Sequence, residues 1–212
     1  MQEDLDTIRT RPHGRKHKPT ELEKLLENGG GLFRSPCRNS VIFNVYTNVH
    51  YAQLGTGPQG FAVGLKIRCP PGPGRDPDRK KRADYWKHPG RNKLTSGSLV
   101  ALVLVSKGSL TVHLANLVSS ADDIAGSAKY SEHSIQVKAA FFDPEIEIGA
   151  LRKDKITIDM DTFAILIENG AMFESVQPFL KTLSTIDSTS IPFSRYICSQ
   201  VPLNDIEVHP PK

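Results

Sequence analysis

Cysteine is scarce in this chain: Cys37, Cys69 and Cys198 lie far apart, and no Cys-x-x-Cys pair occurs. An odd, scattered set of thiols argues against a disulfide framework and against a zinc ribbon. Long apolar runs are missing too, none approaching the ~18 residues that cross a bilayer. The opening Met1-Gln2-Glu3-Asp4-Leu5-Asp6 is acidic and polar, unlike a secretory leader. The expectation from these absences is a reduced, soluble, intracellular protein with no membrane partner.

Catalytic furniture is equally sparse. Among the seven histidines, His50, His113 and His133 fall in or near strand-like segments, but no two of these three stand at helical i, i+4 or zinc-finger spacing. Asp159 and Asp161 would share one face of a strand, the usual place of a solvated pair, with no partner base beside them. No nucleophile elbow occurs. Ile67-Arg68-Cys69-Pro70-Pro71-Gly72-Pro73-Gly74-Arg75-Asp76 imitates a phosphate loop, yet Pro73 removes an N–H, and Arg75-Asp76 replaces the Lys-Ser/Thr that would meet phosphate and magnesium. Pro77 is expected to prevent a following helix. The chain is read as non-enzymatic, without a cofactor, a metal site or a small-molecule substrate.

What the chain has is β-pattern and unevenly placed positive charge. The formal charge is +4, from 27 Lys and Arg against 23 Asp and Glu. Residues 1–19 read as a disordered basic arm, with five Lys or Arg and no acid between Arg9 and Lys18; this leans the compartment toward the nucleus over the cytoplasm. Thr20 with Glu23 makes a capping box for a short helix to Glu27, ended by Gly29-Gly30-Gly31. Strands are predicted over 41–51, 61–69, 97–105, 109–118, 134–142 and 155–167, with a turn at Gly55–Gly60. The fold class expected is mainly β with flanking helices: an antiparallel β-barrel of about six strands over residues 20–170, followed by a C-terminal helix. That helix rests on Phe173, Val176, Leu180 and Leu183 within a 171–200 segment, and residues 201–212 form a proline-rich tail.

Residues 70–93 read as a long irregular loop, because Pro70, Pro71, Pro73, Pro77 and Pro89 interrupt it. Between 68 and 93 stand nine Lys or Arg against three Asp. Arg79, Lys80, Lys81, Arg82, Arg91 and Lys93, with Lys87, would meet phosphates, and Trp86 or Tyr85 would stack on a base. The same composition also fits a solvated linker with Trp86 packed on the barrel.

Three blocks resemble one family. They are Val45-Tyr46-Thr47-Asn48-Val49-His50 with Gly60-Phe61-Ala62-Val63; Arg91-Asn92-Lys93-Leu94 with Gly97-Ser98-Leu99-Val100; and Ile167-Glu168-Asn169-Gly170-Ala171-Met172-Phe173-Glu174-Ser175-Val176, which leads to Phe179-Leu180-Lys181-Thr182-Leu183 and Ile191-Pro192-Phe193. In this order they are similar to the Upf-like superfamily 1 RNA helicases that carry NFX-type zinc fingers. The resemblance implies a non-catalytic, RNA-proximal region ahead of the ATPase core, linked by family to RNA silencing and heterochromatin. ATP and magnesium would belong to the missing motor. The partners implied are RNA and the helicase core of a longer parent protein, on which segment 171–200 would dock. Because the motor motifs are absent, no catalytic residue carries over. A free-standing single-stranded nucleic-acid-binding barrel and a protein-interaction module without RNA affinity are the alternatives.

Overall fold

Alternating apolar positions and two capping boxes account for most of the elements in the computed structural model, which describes residues 19–34, 42–57, 60–88, 93–106, 109–152 and 163–172. The chain divides into Met1–Glu174 and Ser175–Lys212, and every described residue belongs to the first unit. The basic arm up to residue 18, Arg91, Asp159, Asp161, the helix expected over Phe173–Leu183 and the tail 201–212 lie outside the described residues.

Helix α1 (Glu21–Glu27) starts at the expected capping box: the Thr20 hydroxyl accepts from the Glu23 N–H, and the Glu23 carboxylate accepts from the Thr20 N–H. Gly29 and Gly30, at φ 85° and 94°, turn the chain out of it. Eight strands follow: β1 (Gly31–Arg34), β2 (Ile42–Tyr46), β3 (His50–Gly57), β4 (Gly60–Arg68), β5 (Ser98–Ser106), β6 (Ser109–Leu117), β7 (Ser134–Phe141) and β8 (Phe163–Met172). Their order in the sheet is β1-β2-β8-β5-β6-β7-β4-β3, antiparallel throughout.

That order forces curvature. Strands β2 and β3 stand second and last in the sheet, yet only Thr47, Asn48 and Val49 connect them. In a flat sheet six spacings would separate them by roughly 29 Å, whereas the linker reaches roughly 14 Å. The sheet therefore curls enough to bring the end of β2 near the start of β3, and the Arg68 N–H at the end of β4 donates to the Thr47 carbonyl at 2.8 Å. The inner face gathers Tyr46, Leu65, Ile67, Leu102, Leu117, Val137 and Leu166 into the main core. On the outer face of β2, β5 and β8, Val45, Val103, Val105, Ile165 and Ile167 are covered by α1 through Leu22. Burial on both faces explains why β5 and the first half of β8 read as continuous apolar runs rather than alternating ones.

Several expectations need correction. The barrel does not close among the described residues: β1 pairs only with β2, and β3 only with β4, so the sheet is open at both edges and has eight strands rather than about six. The strand expected over 41–51 is two strands, broken where Asn48 takes φ 56°. The turn expected at Gly55–Gly60 is narrower, because Gly55 and Gly57 still pair within β3. The stretch 70–93 is not a structureless loop. A 3-10 turn (Pro73–Arg75) leads into helix α2 (Arg79–Lys87), so Pro77 precedes a helix instead of preventing one. Pro77 lies just ahead of the N-cap Asp78, where a proline leaves every helical hydrogen bond intact. Two further helices, α3 (Ala121–Ala128) and α4 (Pro144–Arg152), fill connections for which no helix was expected.

Candidate nucleic-acid interface

Helix α2 has the sequence Arg-Lys-Lys-Arg-Ala-Asp-Tyr-Trp-Lys, and the fold divides it sharply. The Asp78 carboxylate accepts from the N–H groups of Lys80 and Lys81, at 2.7 and 3.4 Å, so the first amides of the helix are capped by its own chain. These bonds hold the Asp78 carboxyl below its usual range. Ala83 and Trp86 enter the main core, with Trp86 only 6% exposed. Arg82 is buried beside them. Its guanidinium donates to the carbonyls of Ala128 at 2.5 Å and Lys129 at 3.3 Å, and also to those of Asp76 and Pro77. It thereby ties α2 to the end of α3.

That tie creates a groove. Helix α3 begins at a second capping box, Ser120 with Asp123, and ends in a turn where Tyr130 N–H donates to the Ser127 carbonyl at 3.1 Å. The turn presents Lys129 and Tyr130 beside the outer face of α2. A cavity of about 540 Å³ lies there, lined by Arg79, Lys80, Asp84 and Lys87 from α2 and by Lys129 and Tyr130. Tyr130 is 91% exposed, an unusual state for so large an aromatic. Lys87 pairs with Asp122 at 2.6 Å, and this hydrogen bond raises its pKa. Arg79, Lys80 and Lys129 are exposed. A groove of this kind offers phosphate-seeking cations beside an accessible aromatic face.

The residues predicted to contact nucleic acid are thus sorted into separate environments. Arg79 and Lys80 line the groove, and Lys81 is exposed on the same helix. Arg82 and Trp86 are withdrawn from that role: the first is held by backbone carbonyls, and the second lies in the core, out of reach of a base. Lys93 donates to the Tyr85 hydroxyl at 2.7 Å and lies 5.3 Å from that ring's centre, while Tyr85 meets Trp86 edge-on. Lys129 and Tyr130 escaped sequence reasoning because they stand more than forty residues from α2 and no local pattern links the two.

A second polar cluster, inside the core, was also missed. Glu168 lies on the inner face of β8, between Asn44 of β2 and Val100 of β5, and is fully buried. One carboxylate oxygen accepts from Asn44 Nδ2 at 3.2 Å and from the Tyr46 hydroxyl at 3.1 Å. The other accepts from Thr95 N–H and Ser98 Oγ, both at 3.3 Å. Burial pushes the Glu168 carboxyl above its usual range, and the hydrogen bonds, Tyr46's first, oppose the rise. Burial, and then the Glu168 charge, raise the Tyr46 phenol well above its usual value and keep it a donor. Tyr46, Ser98 and Glu168 come one from each of the three sequence blocks singled out above, and the fold brings the three together here. The signal in the sequence was a lone acid following the apolar run Phe163–Ile167.

Among the described residues no group of His, Cys, Asp or Glu is arranged to hold a metal, and no helix is long and apolar enough to cross a membrane. His113 pairs with Asp143 at 2.8 Å, and His50 with Asn48 at 2.9 Å. No family model matches this chain. No curated protein and no solved structure matches it either.

Proposed function

We propose that this protein acts by binding RNA along the groove between α2 and α3, as the non-catalytic, RNA-proximal region of an ATP-dependent RNA helicase of the family with NFX-type zinc fingers. The groove carries the reading. Exposed Arg79, Lys80 and Lys129 converge on one cavity with Tyr130 at its side. The helicase kinship rests on the resemblance of the three sequence blocks, from which Tyr46, Ser98 and Glu168 come. RNA is the partner in this reading, a helicase core the neighbour in a longer parent, and the nucleus the favoured compartment. ATP and magnesium would act on that neighbour.

The test is a salt-dependent titration of a labelled single-stranded oligonucleotide, for the wild type and for a variant with Arg79→Ala, Lys80→Ala and Lys129→Ala. Loss of three phosphate contacts should flatten the slope of log K against log salt by about 2. An unchanged slope would remove the groove from this role.

A second reading, a protein-contact module, is favoured by one observation. Val112 and Leu114 on β6, and Phe142 beside them, are 52%, 43% and 51% exposed, and the Phe142 N–H donates to the Leu114 carbonyl. Large apolar side chains exposed side by side suit a protein partner better than a polyanion. Wild-type protein that leaves RNA unbound at low salt would shift the balance to it.

A further inference from the structure

Two arginines away from the groove stand beside each other at the end of α1. Arg68 closes β4 on the outer face of the sheet, and Arg75 ends the 3-10 turn that follows. Both guanidinium groups crowd Gly29 at the end of α1. A Cβ at Gly29 would sit 3.0 Å from Arg68 Nε and 3.1 Å from Arg75 Nη2, so the two nitrogens lie no more than 6.1 Å apart, the sum of these radii. Gly29 is what makes room for them, and its φ of 85° is the glycine-favouring kind. Arg75 is fixed, with Nε and Nη2 both donating to the Cys69 carbonyl. Arg68 extends from an exposed position, and among the described residues neither arginine has a carboxylate in an ion pair. Burial first, and then the Arg68 charge, lower the pKa of Arg75. Like charges held together in this way are stabilised by an anion between them, and a guanidinium fork matches the geometry of a phosphate.

We infer that Arg68 and Arg75 form a two-arginine clamp for a phosphate group. One arm is positioned in advance by the Cys69 carbonyl, and the other closes on the ligand. The phosphate is carried either by a polynucleotide backbone or by a small phosphorylated molecule. The clamp is separate from the α2–α3 groove and does not require the RNA reading to hold.

The experiment titrates wild-type protein, Arg68→Gln and Arg68→Lys with two probes, inorganic pyrophosphate and a short single-stranded oligo(U), following the Arg75 Nε–H signal by NMR. The wild type should show a saturable shift of that signal. Arg68→Gln should lose about tenfold in affinity, as expected for removal of a charged hydrogen-bond donor, and Arg68→Lys should recover part of it. A loss against oligo(U) assigns the phosphate to a polynucleotide. A loss against pyrophosphate alone assigns it to a small phosphorylated ligand. Equal binding of both probes by wild type and Arg68→Gln, with only a lowered Tm in the variant, overturns the clamp and leaves Arg68 as a packing residue against α1. The RNA reading fails on a different result, wild-type protein that leaves oligo(U) unbound.

Discussion

Around Glu168 the protein supplies every hydrogen-bond partner itself, whereas along the outer face of α2 it leaves Arg79, Lys80 and Lys129 turned to solvent. The first cluster joins β2, β8 and the turn before β5, so its polar groups serve the fold. The second sits on a cavity with an exposed tyrosine and contributes little to stability. Burial separates the two roles, because a buried charge without partners is costly and an exposed one is nearly neutral. Arg82 shows the rule within one helix: it lies one turn from Arg79, points inward, and acts as a strut.

The largest effect is expected there. Arg82→Ala should destabilise the protein by about 3 kcal/mol, since it removes a buried donor set and strands the carbonyls it holds. Urea denaturation measures this. A loss below about 1 kcal/mol would mean that α2 and α3 stay docked without it.

The Glu168 cluster should reveal itself through pH. In the folded state burial raises its carboxyl above the ordinary 4.5. Folding therefore favours the protonated form, so this contribution to stability is complete below that ordinary value and is lost as pH rises through the raised one. Glu168→Gln has no proton to lose, so it should gain on the wild type as pH rises through that window. Thermal melts of both proteins at matched pH values check the sign. Parallel curves would place the carboxyl in a better solvated setting.

The smallest stability change belongs to the groove. Arg79→Ala, Lys80→Ala and Lys129→Ala together should shift unfolding by no more than about 0.5 kcal/mol while flattening the salt dependence of RNA binding. A large destabilisation would make these cations structural and erase the distinction between the two clusters.

Much of the fold could be read from local pattern, and its failures have physical causes. Thr20 and Glu23 announced α1, and the alternation in Phe61–Cys69 announced β4. Helix α2 was hidden because its inner face mixes Ala83 and Trp86 with Arg82, whose burial depends on carbonyls at 76, 77, 128 and 129. Helix α3 begins at a Ser120 capping box that was not read from the sequence, and its eight residues are too few for periodicity to stand out. The curl of the sheet follows from strand order, which no single segment encodes. Of the residues that line the groove, Arg79 and Lys80 were singled out from the sequence because basic charge is a local property. Lys129 and Tyr130 reach the groove only through the Arg82 tie, and Glu168 is recognisable only once Asn44, Tyr46, Thr95 and Ser98 surround it.

The most direct test of the groove is photo-crosslinking of wild-type protein to a single-stranded RNA containing 4-thiouridine, with the modified peptides mapped by mass spectrometry. Crosslinks at Tyr130 and within Arg79–Lys87, lost when the groove cations are replaced, are the predicted result. Crosslinks confined to other surfaces, or none at low salt, would contradict the account.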